Sequence, residues 1–304
     1  MYKISAVVAT YNRERFLPDA LEGLRVQTLD PREFQIIIVN NNSKDRTKEI
    51  SLEFIKNNPQ LNCFYCEEFN QGLSFGRNRG VNESNAELIT FIDDDAVIEK
   101  DFLLNVVNYM KDKNDVAAVG GKIFAKYLNK KPVWMSKYIQ ALVGHVDYGD
   151  ETFEYPSGKY PFGSNMSIRT ESLKAIGLFN TQLGRIGEGG LGGEEKDMFD
   201  KLKQNGGKIF YLPSLLVYHS VDDSRLTKER MENLSYGVGA SEKIRVQSKG
   251  PNEIMKKAIE YAFKFGASVL IGLFYCLQGV PSRAYYLLFV RWYATKGFIN
   301  GPKS

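Results

Sequence analysis

Three short apolar runs, Ile4–Ala9, Phe34–Val39 and Leu88–Ile92, constrain this chain more than any other feature, because each stops abruptly at a polar cluster. The clusters are Thr10-Tyr11-Asn12, Asn40-Asn41-Asn42-Ser43 and Asp93-Asp94-Asp95. Runs that are nearly continuous in apolar residues, rather than alternating, are strands buried on both faces. Between them lie segments of helical spacing, first Leu17, Ala20, Leu21 and Leu24, then Ile50, Phe54 and Ile55, with Ser43 as a candidate cap. A polar helix with Arg77, Asn78 and Arg79 precedes the third run. Strands alternating with helices predict an α/β fold, a mostly parallel sheet with helices on both faces. Ligands of such sheets bind beyond the carboxyl ends of the strands, so three separate segments deliver polar side chains to one rim.

The acidic triplet carries the most chemistry. If the strand stays extended past Ile92, Asp93 and Asp95 point one way and Asp94 the other. Carboxylates held side by side repel and favour a proton or a cation. Mg²⁺ or Mn²⁺ is the natural neutraliser, since both take oxygen ligands and leave positions for substrate phosphates. A solvated acidic turn is the alternative, and the triplet alone leaves both open.

Farther along, residues 121–162 lack a clear period and are rich in aromatics, from Phe124 to Phe162. Packing against the body and ring platforms for a sugar are both open there. Gly184–Gly193 holds six glycines in ten residues, so it is neither helix nor strand but a loop or a close backbone approach. A helix starts near Glu194, and strand-like Lys208–Leu212 and Leu215–Tyr218 end at His219, one of two histidines. Cys63 and Cys66 lie three apart in a strand and face opposite sides, so they read as buried thiols rather than half of a zinc site. Three cysteines fit a reducing compartment, and no apolar leader pattern follows Met1.

Composition matters chiefly for the tail. Of the net charge of +4, residues 221–304 carry +6 (13 Lys and Arg against 7 Asp and Glu), leaving −2 for the rest. Within the tail, Phe265–Ser282 is 18 residues without a charge, flanked by Lys256, Lys257, Lys264 and Arg283. That length reaches the lower bound for a spanning helix, but the glycines, Gln278 and Pro281 inside it favour an interfacial or re-entrant hairpin on an anionic membrane. A buried helical appendage is the alternative. Long apolar interruptions argue against nucleic acid as the partner of these bases.

Taken together, Val7–Arg13, Ile38–Asp45, Asn70-Gln71-Gly72 with Gly76–Gly80, Phe91–Asp95, Gly163–Met166 and Gly193–Asp197 resemble glycosyltransferase family 2, inverting enzymes of the GT-A fold. No single piece is specific; six in the family's order and spacing are, and they cover residues 4 to about 220. The resemblance implies a nucleotide-sugar glycosyltransferase domain over 1–220 and a membrane-associating helical region over 221–304. The tail looks like that of bacterial members that build surface polysaccharides. The resemblance implies substrate- or nucleotide-binding positions at Thr10, Tyr11, Asn12, Arg13, Asn40, Asn42, Gly72, Arg77 (near the phosphates), Asn78, Asp93, Asp94, Asn165 and Glu194. Asp93 and Asp95 are the metal-binding DxD positions, His219 is similar to a histidine that completes the metal site in some relatives, and Glu195 stands at the catalytic carboxylate. The expected cofactor is Mn²⁺ or Mg²⁺, and the expected partners are a nucleoside-diphosphate sugar, UDP-linked, and a saccharide or lipid-linked acceptor. The implied location is cytoplasmic, on the inner face of the membrane.

Two positions depart from the family pattern. Asn40 replaces its usual Asp and can donate as well as accept. Glu195 replaces the usual Asp and has a longer reach. Two other functional classes compete. A dinucleotide oxidoreductase lacks its glycines at Ala9–Asn12. A noncatalytic sugar- or nucleotide-binding protein on a decayed scaffold remains compatible with Asn40 and Glu195.

Overall fold

The computed structural model describes residues 1–185, 192–247 and 250–302. In chain order the elements are β1 (Tyr2–Thr10), α1 (Leu17–Arg25), β2 (Phe34–Asn40), α2 (Thr47–Asn57), β3 (Cys63–Glu67), α3 (Leu73–Glu83) and β4 (Ala86–Phe91). Then follow β5 (Ala96–Ile98), α4 (Phe102–Met110), β6 (Val116–Tyr127), β7 (Phe153–Glu154), β8 (Met166–Arg169), α5 (Thr170–Ala175), α6 (Glu194–Gln204) and β9 (Lys208–Val221). The tail holds α7 (Lys228–Gln247), α8 (Pro251–Leu277) and α9 (Pro281–Asn300). The chain divides into two compact units. The described part of the first is residues 1–126, 146–185 and 194–220; that of the second is 127–145, 192–193, 221–247 and 250–302.

The first unit is built on a mixed sheet of order β3-β2-β1-β4-β8-β6-β9-β5, with β7 on β9. The run β3-β2-β1-β4 is parallel, as the buried apolar strands predict. Beyond β4 the β4–β8, β6–β8 and β5–β9 pairings are antiparallel, because these strands are not linked by single crossover helices. Alternate residues of β1 and β2 feed two cores. Ile4, Ala6, Val8, Ile36 and Ile38 pack with Leu17, Leu21 and Leu24 of α1. Val7, Ile37 and Val39 pack with Val81 of α3 and Met198 and Phe199 of α6. The period-two alternation thus sandwiches the sheet between helices. Ser43 does not cap α2; Thr47 N donates to Asp45 Oδ1 at 3.1 Å instead.

The aromatic stretch resolves largely into packing within this unit. Phe153 and Tyr211 stack at 4.9 Å, and Tyr148 and Tyr155 meet them edge-on. Of the glycine-rich segment, 186–191 lie outside the described residues.

In the second unit α9 packs against both α7 and α8. Gly239 and Gly297 set the α7–α9 spacing, since a Cβ on either would overlap a backbone carbonyl of the other helix, Ala294 O or Tyr236 O. Residues 278–280 separate α8 from α9, so within the 18-residue charge-free stretch the helix continues over 13 residues, Phe265–Leu277. Lys256, Lys257 and Lys264 are paired with Glu253, with Glu242 and Glu260, and with Glu260, respectively. One face of α8 is exposed and apolar along Met255, Ile259, Phe263, Leu270, Phe274 and Leu277. At 3.6 residues per turn these side chains fall within an arc of about 100°.

Candidate active site

The carboxyl ends of β1 and β2 form the first side of the rim. Thr10 lies opposite Asn40 in the parallel ladder, and Asn41 N donates to Thr10 O at 2.8 Å. Asn12 and Asn42 adopt left-handed φ values of 51° and 64°, which asparagine tolerates through local side-chain bonds. Asn12 Oδ1 accepts from Lys44 N at 2.8 Å, and Asn42 Oδ1 accepts from Lys44 Nζ at 2.9 Å. Asn40 uses both halves of its amide: Oδ1 accepts from Ser43 N, and Nδ2 donates to Tyr65 Oη, each at 3.0 Å. The Tyr65 hydroxyl donates onward to Glu67. A carboxylate at position 40 would compete with Glu67 for that single proton, which gives a structural reason for Asn here.

The second side is the acidic triplet. The strand does not stay extended: β4 ends at Phe91, and a turn closed by Ala96 N donating to Asp93 O at 3.0 Å leads into β5. Antiparallel pairing then sets Ala96 opposite His219, and Ser220 N donates to Asp95 O at 2.8 Å. His219 Nε2 comes to 3.0 Å from Asp95 Oδ1, and Asp93, Asp95 and His219 offer ligand atoms all within 4.8 Å of one another. His219 Nδ1 is buried with no hydrogen-bond partner among the described residues. Two carboxylates and an imidazole with an unsatisfied nitrogen fit a divalent cation, and the nitrogen donor suits Mn²⁺ better than Mg²⁺. Burial, then the adjacent Asp95, pushes the Asp94 carboxyl up to about 7 against the pull of Arg13. Arg13 Nε lies 3.4 Å from Asp94 Oδ1, and Tyr11 N donates to Asp94 Oδ2 at 3.4 Å.

Arg77 joins the triplet to the third side. Helix α3 begins after Gly72, whose φ of 146° is open to glycine and whose N–H donates to Asn41 Oδ1 at 2.8 Å. One turn on, the Arg77 side chain is only 2% exposed. Its Nη1 reaches Glu194 Oε1 at 3.0 Å and Glu195 Oε1 at 3.2 Å, and its Nη2 lies 3.5 Å from Asp93 Oδ1. The Phe91 and Phe179 rings lie beside its guanidinium, at 5.9 and 5.5 Å. Arg77, expected near the donor phosphates, is bound to carboxylates in this structure. Burial forced it to find anionic partners inside the protein.

The two glutamates share that one guanidinium unequally. Burial, then Glu195, pushes Glu194 up to about 8, with Arg77 opposing. Burial also raises Glu195, but Arg77 and Arg185 outweigh it and hold Glu195 below its ordinary value. The Glu195 side chain is 23% exposed, against 2% for Glu194. At neutral pH the pair therefore holds one proton, on the buried member, and the charge sits on the accessible one. This has a consequence for stability. The folded state keeps the Glu194 proton above its ordinary value of 4.5, where the unfolded chain has lost it. The stability it contributes is full below 4.5 and declines as pH rises to about 8. Glu194→Gln should flatten the fall in Tm across that window; an unchanged slope would show that the proton is not held there.

Two residues expected at the substrate make bonds to the backbone. Asn78 forms a two-way bond with the Phe179 backbone, donating at 2.9 Å and accepting at 3.0 Å. Asn165 is fully buried, and its Nδ2 donates to Lys122 O at 2.9 Å and Leu215 O at 2.8 Å, clamping β6 to β9. Both are fixed by backbone bonds, and Asn165 Oδ1 is buried with no hydrogen-bond partner among the described residues. Three further residues shape the site without having been expected in it. Asn41 orders the loop before α3, bonding Glu68 O, Asn70 O and Gly72 N. Gly163 approaches so closely that a Cβ there would overlap Glu195 and Arg77. Its place in the Gly163–Met166 motif was the one signal it gave. Arg185 gave none.

A mixed sheet of this order with polar loops and an acidic turn along one rim is the frame of the GT-A glycosyltransferases. The mannosyltransferase PcManGT of Pyrobaculum calidifontis, solved with GDP-Man and Mn²⁺, has this fold: TM-score 0.64, 15% identity, covering 95% of this chain and 86% of that one. So does S. aureus TarS residues 1–349 with UDP-GlcNAc: TM-score 0.59, 20% identity, covering 97% and 89%. The family model for glycosyl transferase family 2 matches residues 5–177, and the chain belongs to that family. Among its relatives, a glucosyl-dolichyl phosphate glucuronosyltransferase of Haloferax volcanii is 26% identical over 247 residues, 80% of this chain and 77% of that protein. The Bacillus subtilis protein EpsH is 37% identical over 113 residues, 37% of this chain and 32% of its own length.

Proposed function

We propose that the protein is an inverting, cation-dependent glycosyltransferase that moves a sugar from a nucleoside-diphosphate donor to an acceptor hydroxyl in glycolipid or polysaccharide assembly. The observation that carries this reading is that Arg77 bridges Glu195, 3.2 Å from Nη1, and Asp93, 3.5 Å from Nη2. A general base and a diphosphate-facing acidic cluster thereby share one rim. In this reading residues 1–220 form the transferase domain, and the ends of β1 and β2, at Thr10, Tyr11 and Asn40, hold the nucleoside. Asp93, Asp95 and His219 hold the cation. When bound, that cation supplies neutralisation for the diphosphate. Glu195 accepts the proton of the acceptor hydroxyl as that oxygen attacks the anomeric carbon, the bond from that carbon to the diphosphate oxygen breaks, and the nucleoside diphosphate leaves from the opposite face. Arg77 keeps Glu195 charged and aimed, and Glu194 stays neutral beside it.

UDP is the proposed donor nucleotide, with GDP as its competitor, because relatives in structure hold one or the other. A melting-temperature panel of nucleoside diphosphates and their sugars with Mn²⁺ tests this, since a ligand that binds only the folded state raises Tm by mass action. Asp95→Ala should abolish the Mn²⁺-dependent part of nucleotide binding. Calorimetry showing unchanged UDP affinity in that variant, with and without Mn²⁺, would remove the cation from Asp95. Absence of transfer or hydrolysis with every nucleotide sugar that binds would favour a noncatalytic sugar-binding protein.

We further propose that 221–304 associates with an anionic membrane surface through α8, on the cytoplasmic face. By length and composition α8 could cross a bilayer: its most apolar window has a mean hydropathy of 1.3 and is 17% buried. Its charge-free part is too short for that. Its 13 residues reach about 20 Å, against about 30 Å of hydrocarbon. The exposed stripe from Met255 to Leu277 runs the length of the helix, which suits a helix lying in the interface.

A further inference from the structure

The second unit contains a cleft of about 590 Å³ between the 131–140 segment and the end of α8, closed on one side by Arg283 at the start of α9. Three of its lining residues are cationic, Lys131, Lys137 and Arg283, and none is acidic. No carboxylate pairs with any of the three among the described residues, whereas Lys256, Lys257 and Lys264 on α8 are all paired. Arg283 is held in place: its Nε donates to Val133 O at 2.9 Å, and its guanidinium lies 5.7 Å from the Tyr275 ring. That leaves its terminal N–H groups for an outside acceptor. Leu270 and Phe274 line the same cleft and belong to the exposed apolar stripe of α8. A phosphate-sized anion in the cleft would thus sit where an acyl chain could run along the helix.

We infer that this cleft binds the phosphate headgroup of an anionic membrane phospholipid, with Lys131, Lys137 and Arg283 as its ligands. The inference rests on the reading that the α8 stripe faces a bilayer. Charge complementarity selects the anion, and continuity with the stripe selects a lipid rather than a free phosphate. The site converts diffuse attraction for a basic tail into headgroup-selective docking at one point.

Vesicle flotation of the full chain tests the inference, with phosphatidylcholine alone and with phosphatidylcholine mixed with phosphatidylglycerol. The wild type should prefer the anionic vesicles. Removing both lysines, in K131Q/K137Q, should weaken anionic partition by about ten- to thirty-fold and leave binding to neutral vesicles unchanged. K256Q/K264Q makes the same change in net charge outside the cleft and should keep the preference. Equal loss in the two variants, or no loss in K131Q/K137Q, overturns the site while leaving the membrane reading of α8 intact. If glycerol phosphate raises Tm in the wild type but not in K131Q/K137Q while vesicle binding is the same in both, the cleft takes free phosphate and the lipid assignment falls. Wild type that floats with neither vesicle overturns the α8 reading and the site together.

Discussion

Glu195→Gln should lower the rate of sugar transfer by about 10² to 10⁴-fold, the usual contribution of a positioned general base, while donor affinity measured by calorimetry changes little. Both halves follow from geometry. The amide keeps the shape of the side chain and can still face Arg77, but it cannot accept the acceptor's proton. In the proposed reading the donor lies at the other end of the Arg77 bridge, on the loops after β1, β2 and β4, and none of these bonds Glu195 directly. Parallel loss of transfer and of donor binding would mean that the variant disturbs Asp93 through Arg77 and would remove Glu195 from the chemistry. The wild-type pH profile offers an independent check. Since Glu195 is held below its ordinary value of 4.5, the base stays ionised above that value, and the acid limb of the activity profile should fall below it. An acid limb well above 4.5 would assign the proton transfer to another group.

The parts of this site that end strands were legible in the sequence. Thr10, Asn40 and Asp93 follow apolar runs whose burial forces them to emerge at one edge, so composition and spacing suffice to bring them together. His219 was legible for the same reason, as the polar close of an apolar strand. What the sequence concealed were contacts made across the fold. The β5–β9 pairing that brings His219 to Asp95 depends on a turn, not on an extended triplet, yet it delivers Asp93 and Asp95 to a common point. The direction of the sheet beyond β4 was hidden too, because an apolar strand carries no mark of its neighbour's orientation. The backbone bonds of Asn78 and Asn165 were hidden for a related reason: a polar residue in a motif carries no mark of which main-chain groups it will meet. The tail misled in its bases. Lys256 and Lys264 look available in sequence, but helical spacing places Glu253 and Glu260 within reach of them.

Arg77 is the residue whose loss should cost the fold most, because three carboxylates depend on one buried guanidinium. Arg77→Met, similar in length but without charge, should destabilise the protein by about 3–5 kcal/mol, the range for removing one partner of a buried ion pair. Much of that cost comes from leaving the charged Glu195 without its nearest counter-charge and Glu194 without its buried hydrogen-bond donor, not from lost packing of the arginine itself. The damage should therefore be reversible from the other side. Adding Glu194→Gln and Glu195→Gln to Arg77→Met should recover a large part of the lost Tm, although each glutamine alone removes a group the wild type uses. Strong coupling of this kind is expected only for residues in one network. If the triple variant is no more stable than Arg77→Met, the stabilisation comes from packing of the side chain between Phe91 and Phe179, and the electrostatic account of the rim is wrong. Arg77→Lys separates the two further. A single ammonium can approach one carboxylate closely but cannot span from Asp93 to Glu195 as the planar fork does. That variant should keep more stability than Arg77→Met yet lose transfer, with an acid limb shifted upward as Glu195 loses its nearest cation.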